Sequence, residues 1–241
     1  GRGGGGGGGG GGVLTVYESG ADNGSAGYDI RIEFKGTGWT VELQDAFIKA
    51  ADYFTTVITD DIGGGGLFRG KVIDDLYVTA ELKAIDGTGG ILGQAGPTAV
   101  WSATELTAAG QMQFDIADAL NYFGQGLWDD IVTHELMHVL GFGSLWNYGA
   151  DPLVANSQYT GAAGVDAYND VFTGAESIPV ETDGGSGTAG AHWDEGTLAN
   201  ELMTGYINND NYLSKFSVMS LADLGYHVNS YIDYPYDGIT A

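Results

Sequence analysis

The chain has 241 residues, 43% of them hydrophobic and 12% aromatic, which suffices for one large domain or two joined lobes and excludes overall disorder. Its net charge of −24, from 32 acidic against 8 basic side chains, repels phosphate backbones and excludes nucleic acid as a partner. There are no cysteines, so disulfides and Cys-ligated zinc are excluded, and histidine is left as the natural ligand for a transition metal.

No apolar run approaches a membrane span, and no basic and apolar leader opens the chain. The expectation is a mature form or an excised domain, monomeric and secreted, in surroundings where ions screen the acidity. The excess of Asp over Glu suits oxygen-ligand calcium sites, although no EF-hand loop or GGxGxD repeat is present.

Residues 1–12 are almost entirely glycine and read as a linker, because such a run has no side chains to bury and no Lys-Ser/Thr follows to make a phosphate loop. Residues 28–35 alternate polar and apolar, the pattern of a half-exposed strand. Thr40 then precedes residues 41–58, where Val41, Leu43, Phe47, Ala50, Ala51, Phe54, Val57 and Ile58 share a helical face. Residues 63–66 read as a surface loop, and residues 72–85, rich in Val, Ile, Leu and Tyr, as a further strand.

Glycines and Pro97 confine the short segment Ile91, Leu92, Gly93, Gln94 and Ala95 to a sheet edge. Residues 112–116 suggest another short strand. A helix follows, capped by Asp129 or Asp130 and stopped by Gly141. Residues 151–190 show little periodicity and read mostly as loop, and residues 214–224 form a last helix ended by Gly225.

The helix before Gly141 carries His134-Glu135-Leu136-Met137-His138. Histidines at i and i+4 lie about 40° apart around a helix, so both imidazoles reach one ion. Glu135 flanks that face, within reach of a metal-bound water. Chance yields this pattern about 0.003 times in a chain of this composition. Catalytic zinc usually takes three protein ligands and keeps a position for water, so a third ligand must come from elsewhere. The remaining histidines are His192, just beyond the loop region, and His227, which reads more simply as a partly exposed turn histidine.

With Gly141 the motif extends to HExxHxxG and resembles the metzincin clan of zinc endopeptidases. Metzincins place a third His three residues after that glycine, where this chain has Ser144. The leishmanolysin family interrupts the motif with a long insertion, and this chain is similar: His192 lies 54 residues beyond His138. Met203, in the stretch from Asn200 to Gly205, resembles the family's Met-turn, and residues 217–226 resemble its C-terminal helix and following turn. The likeness is to bacterial, secreted leishmanolysin-like proteases, since eukaryotic members are disulfide-rich and membrane-anchored.

The resemblance implies that His134, His138 and His192 hold zinc, that Glu135 is the general base, and that Met203 forms an apolar floor beneath the imidazoles. It also implies that the 91–95 edge pairs with an extended peptide substrate. Tyr206 is the nearest candidate for an assisting tyrosine. Glu201, preceded by Asn200, superficially matches the third ligand of thermolysin-like enzymes, but Thr204-Gly205 would cut short the helix that reading needs.

The expected architecture is an α+β, metzincin-like, two-lobed protease domain. Residues 13–143 would form a twisted mixed sheet with two long helices, and residues 144–241 an irregular lobe with the third ligand, the Met-turn and one helix. The expected function is zinc-dependent hydrolysis of internal bonds in protein or peptide substrates. A different HExxH zinc hydrolase and an inactive, calcium-dependent binding module are the alternatives.

Overall fold

Residues 30–36 bury Ile30, Ile32 and Phe34 and turn Arg31, Glu33 and Lys35 outward, so the alternation in the sequence becomes a strand with one core face. A computed structural model describes residues 12–20, 27–62, 65–89 and 92–229. The strands β1 (Val16–Ser19), β2 (Ile30–Gly36), β5 (Leu76–Lys83), β6 (Gly93–Val100) and β7 (Thr107–Asp115) form a sheet of order β1-β2-β5-β7-β6. A short hairpin, β3 (Gly66–Phe68) and β4 (Lys71–Ile73), stands apart from it. Within the sheet β2, β5 and β7 run parallel, whereas β1 and β6 are antiparallel edges.

Helix α1 (Val41–Val57) starts where Thr40 Oγ1 accepts from the Leu43 amide at 3.2 Å. The face expected from the sequence is buried except for Val41, which is 47% exposed at the open first turn. Phe47 meets Phe34, Trp39 and Phe114 edge to face, binding helix to sheet. Helix α2 (Ile116–Gln125) follows β7, and α3 (Trp128–Leu140) carries the HExxH residues. Trp128 Nε1–H donates to Leu43 O at 3.0 Å, fixing the start of α3 against α1.

The sheet differs in detail from the sequence reading. Residues 72–85 are not one strand: the chain breaks at Asp74-Asp75, where Asp75 turns inward to accept from the amides of Ile62 and Asp29. β7 reaches back to Thr107, beyond the expected residues 112–116, and Ile116 already belongs to α2. Neither Asp129 nor Asp130 caps α3; both lie in its first turn, behind Leu127. Only Leu127 separates the left-handed Gly126 that ends α2 from α3, so no extended capping residue fits; Asp129 instead lies 3.7 Å from Lys49 Nζ, and Asp130 accepts from Asn211 Nδ2 at 2.8 Å.

Beyond α3 come β8 (Val154–Ala155), β9 (Gln158–Tyr159), α4 (Ala162–Asn169), β10 (Ile178–Pro179), α5 (Glu195–Leu198) and α6 (Lys215–Leu224). The described part of this half therefore holds three helical segments where one was expected. The added α4 is capped from a distance: Asp223 accepts from the Ala163 and Gly164 amides, each at 2.8 Å. One apolar core runs from Tyr28 through α3 to Trp193, Met203 and Tyr226. No helix among the described residues is long and apolar enough to cross a membrane. Most of the expected linker, residues 1–11, and part of the loop at 63–66 lie outside the described residues.

Candidate metal centre

Ten of the thirteen residues of α3 are buried, so this helix runs through the interior and its polar side chains need partners. Gly141, at φ 119°, ends it by donating to the carbonyls of His138 and Met137. Past this turn Gly143 lies against Ala191, the residue before His192. The chain around His192 is tied back: the Glu181 amide donates to His192 O and the Gly190 amide to Glu181 O, both at 2.9 Å. Trp193 N–H donates to Met203 O at 3.0 Å.

These ties bring His134, His138 and His192 together. Their Nε2 atoms form a triangle with sides of 3.0, 3.0 and 3.1 Å. Each Nδ1 faces a backbone carbonyl: Leu202 at 2.7 Å for His134, Phe142 at 2.9 Å for His138 and Thr188 at 2.9 Å for His192. A carbonyl only accepts, so each neutral imidazole carries its proton on Nδ1 and points an Nε2 lone pair at the others. Burial, reinforced by the neighbouring imidazoles, holds His134 well below the usual histidine range and His138 down at about 3. Burial lowers His192 too, against the opposing pull of Thr188 O and Glu181.

Three lone pairs converging without a proton between them need an electrophile. Tetrahedral zinc at about 2.0–2.1 Å from nitrogen separates its ligand nitrogens by about 3.3 Å, so the triangle fits a small divalent ion with slight opening. The backbone carbonyls behind the rings fix tautomer and orientation in the manner of metal-ligating histidines. Among the described residues only one other group of this kind lies within 4.8 Å, Asp29, Asp74 and Asp75. There the Asp75 oxygens are taken by backbone amides, a tether for two loops, and no calcium is assigned to it.

Glu135 sits on the same helix, half-buried, with no hydrogen-bond partner among the described residues, and burial pushes its carboxyl up to about 7. Glu201 is elsewhere in function. Fully buried, it accepts from the Met203 and Ser214 amides and from the hydroxyls of Ser214 and Ser217, away from the histidines. Burial raises its carboxyl pKa despite those donors. His227 is apart as well, 72% exposed and paired with Asp60.

The remaining expected residues fall in three places. Met203 is buried in the core, joined by its carbonyl to Trp193 and by its amide to Glu201. Gly93, Gln94 and Ala95 lie on β6, the outer strand beside α3, and Leu92 just precedes it; Ile91 lies outside the described residues. The strand runs on to Val100 with Pro97 inside it, which an edge tolerates. Tyr206 is half-exposed. Sequence reasoning missed what holds the site, namely Gly143, Glu181 and the acceptor role of Glu201, because each acts on backbone groups of distant segments.

No curated protein matches the chain. The model of the leishmanolysin family matches residues 76–234, from the central strand β5 past the last helix, and takes in all three histidines, Glu135 and Met203. On that match the chain belongs to the leishmanolysin family of metallopeptidases.

Proposed function

We propose that the chain is a zinc-dependent endopeptidase cutting internal bonds of extended protein substrates, with His134, His138 and His192 as the zinc ligands and Glu135 as the catalytic base. The observation that carries this reading is the convergence of three unprotonated Nε2 atoms, two of them on the helix that also carries Glu135, a carboxylate with no hydrogen-bond partner among the described residues. Zinc, when bound, would bring a water's pKa toward about 7 and polarise the scissile carbonyl.

Glu135 takes the proton of the attacking water at a carboxylate oxygen and passes it to the leaving amine. The outer edge of β6, unpaired among the described residues and including Gly93, Gln94 and Ala95, offers backbone N–H and C=O groups to an extended peptide, giving affinity without sequence choice. The same reading divides the chain near residue 143: the sheet half brings the base and two ligands, and the C-terminal half the third ligand and Met203. It also places the protein outside the cell as a monomer, in keeping with the charge of −24.

Metal analysis with a cleavage profile tests the proposal. We expect one zinc per chain and chelator-sensitive internal cleavage of an unfolded protein. Glu135→Gln should keep the zinc and lose about 10²–10⁴ in turnover. Products trimmed only at their ends would identify an exopeptidase, and bound zinc without products a binding module. Near-normal turnover in Glu135→Gln would remove Glu135 from the mechanism.

A further inference from the structure

Glu201 is 0% exposed and has no Lys or Arg within ion-pairing distance among the described residues. Burying a carboxylate without a cation is costly unless hydrogen bonds replace its water shell. Here the Met203 amide donates to Oε2, while the Ser214 amide at 3.0 Å, the Ser214 hydroxyl at 2.7 Å and the Ser217 hydroxyl donate to Oε1.

Two routes lead from these donors to the histidines. By accepting from Met203 N–H, Glu201 fixes the chain on both sides of Leu202, and Leu202 O is the acceptor for His134 Nδ1 at 2.7 Å. The Ser217 hydroxyl that donates to Glu201 also accepts from Trp193 Nε1 at 2.7 Å, and Trp193 is covalently next to His192. Trp193 N–H in turn donates to Met203 O at 3.0 Å, closing the loop between the two routes. The proton directions agree throughout, every hydrogen bond at the carboxylate pointing toward it.

We infer that Glu201 is a positioning residue for the metal centre: its buried carboxylate, through Leu202 O and through Ser217 and Trp193, sets the orientation of His134 and His192 together. This rests on the proposed zinc reading and extends it to a residue that touches no metal. A glutamine keeps the size but turns an NH₂ toward at least one existing donor, so Glu201→Gln breaks the hub without opening a cavity. Ser217→Ala cuts only the Trp193 route.

The test is zinc affinity by chelator competition, the absorption spectrum of the cobalt-loaded protein, and the His134 Nδ1–H resonance in metal-free protein. Glu201→Gln should remain folded with a lower Tm, bind zinc about 10- to 100-fold more weakly, show an altered cobalt spectrum and lose the protected His134 proton. Ser217→Ala should show a smaller loss of affinity in the same direction. A folded Glu201→Gln with lowered Tm, wild-type affinity, spectrum and His134 resonance has a merely structural carboxylate, and the inference is overturned. Should Glu201→Gln fail to fold, Ser217→Ala decides it: unchanged affinity and spectrum overturn the inference as well. If wild-type protein binds neither zinc nor cobalt, the zinc reading fails, and the His134 resonance still tests the hub.

Discussion

Gly143 has φ +68°, and a Cβ placed there would stand 2.1 Å from Ala191 O, 2.8 Å from Ala191 C and 2.9 Å from Ala191 Cα. All three contacts are backbone, so no side chain can swing away. An unstrained carbon–oxygen contact needs about 3.3 Å, so Gly143→Ala must part the two backbones by about 1 Å. The left-handed backbone costs an alanine about 1–2 kcal/mol, and overpacking adds about 1–3 kcal/mol. Against a typical stability of about 5–15 kcal/mol the protein stays folded, with Tm lower by about 4–20 °C.

Because Ala191 precedes His192, that displacement is passed to one side of the Nε2 triangle. Zinc affinity should fall about 10- to 100-fold, and kcat/KM for a peptide about 100-fold. Gly174→Ala is the control: φ is +84° there, but nothing lies within 4 Å of the added methyl. It should pay the backbone strain alone and bind zinc normally. The assay is chelator competition alongside thermal unfolding of both variants. Equal zinc affinity in Gly143→Ala and Gly174→Ala would refute the reasoning.

Chelation of the wild-type protein should lower Tm by about 8–16 °C relative to zinc at a thousandfold its Kd, since such binding contributes about 4 kcal/mol to a chain of this size; an unchanged Tm would mean that the folded state holds no zinc. Asp115 anchors the loop leading to β6: its carboxylate accepts from the amides of Ile85, Asp86, Gly87 and Ala117, and those of Ile85 and Gly87 do most to hold its pKa down at about 2. A folded pKa below the unfolded value gives stability that is present above about pH 4 and lost as pH falls through about 2. Asp115→Asn should therefore be less stable than wild type near pH 6, with the gap closing between about pH 4 and pH 2, and should raise KM more than it lowers kcat. Denaturant titrations across that range decide it, and a constant gap rejects the account.

Where a segment's own side chains decide its structure, the sequence was sufficient. Ile30, Ile32 and Phe34 alternate because one face of β2 is core. Thr40 and Gly225 mark α1 and α6 because each hydrogen-bonds backbone groups within one turn of itself. Helix α2 is the exception: Asp115 caps it and Ile116, Leu120 and Phe123 keep helical spacing, yet Leu120 and Phe123 face outward, so the stripe does not mark a core face. Helix α4 escaped because its capping carboxylate, Asp223, is far along the chain. The break at Asp74-Asp75 escaped because amides of Ile62 and Asp29, not a turn residue, demand the inward carboxylate.

The site divides along the same line. His134, Glu135 and His138 were legible because helical spacing alone puts them together, and His192 through the resemblance to the leishmanolysin family's displaced third histidine. The groups that orient them had no residue-type signal at all: Leu202, Phe142 and Thr188 each contribute a backbone carbonyl. Any side chain can supply a carbonyl, so altering Leu202 or Thr188 need not disturb the acceptor it offers. What matters is whatever holds that stretch of backbone in place. For Leu202 this is the carboxylate of Glu201, and for the segment before His192 it is the missing Cβ of Gly143 and the amide ties of Glu181. Glu201 drew attention in the sequence as a rival ligand because, preceded by Asn200, it superficially matches the third ligand of thermolysin-like enzymes. Its burial among four donors supports a different use, ordering the backbone that offers His134 its carbonyl acceptor.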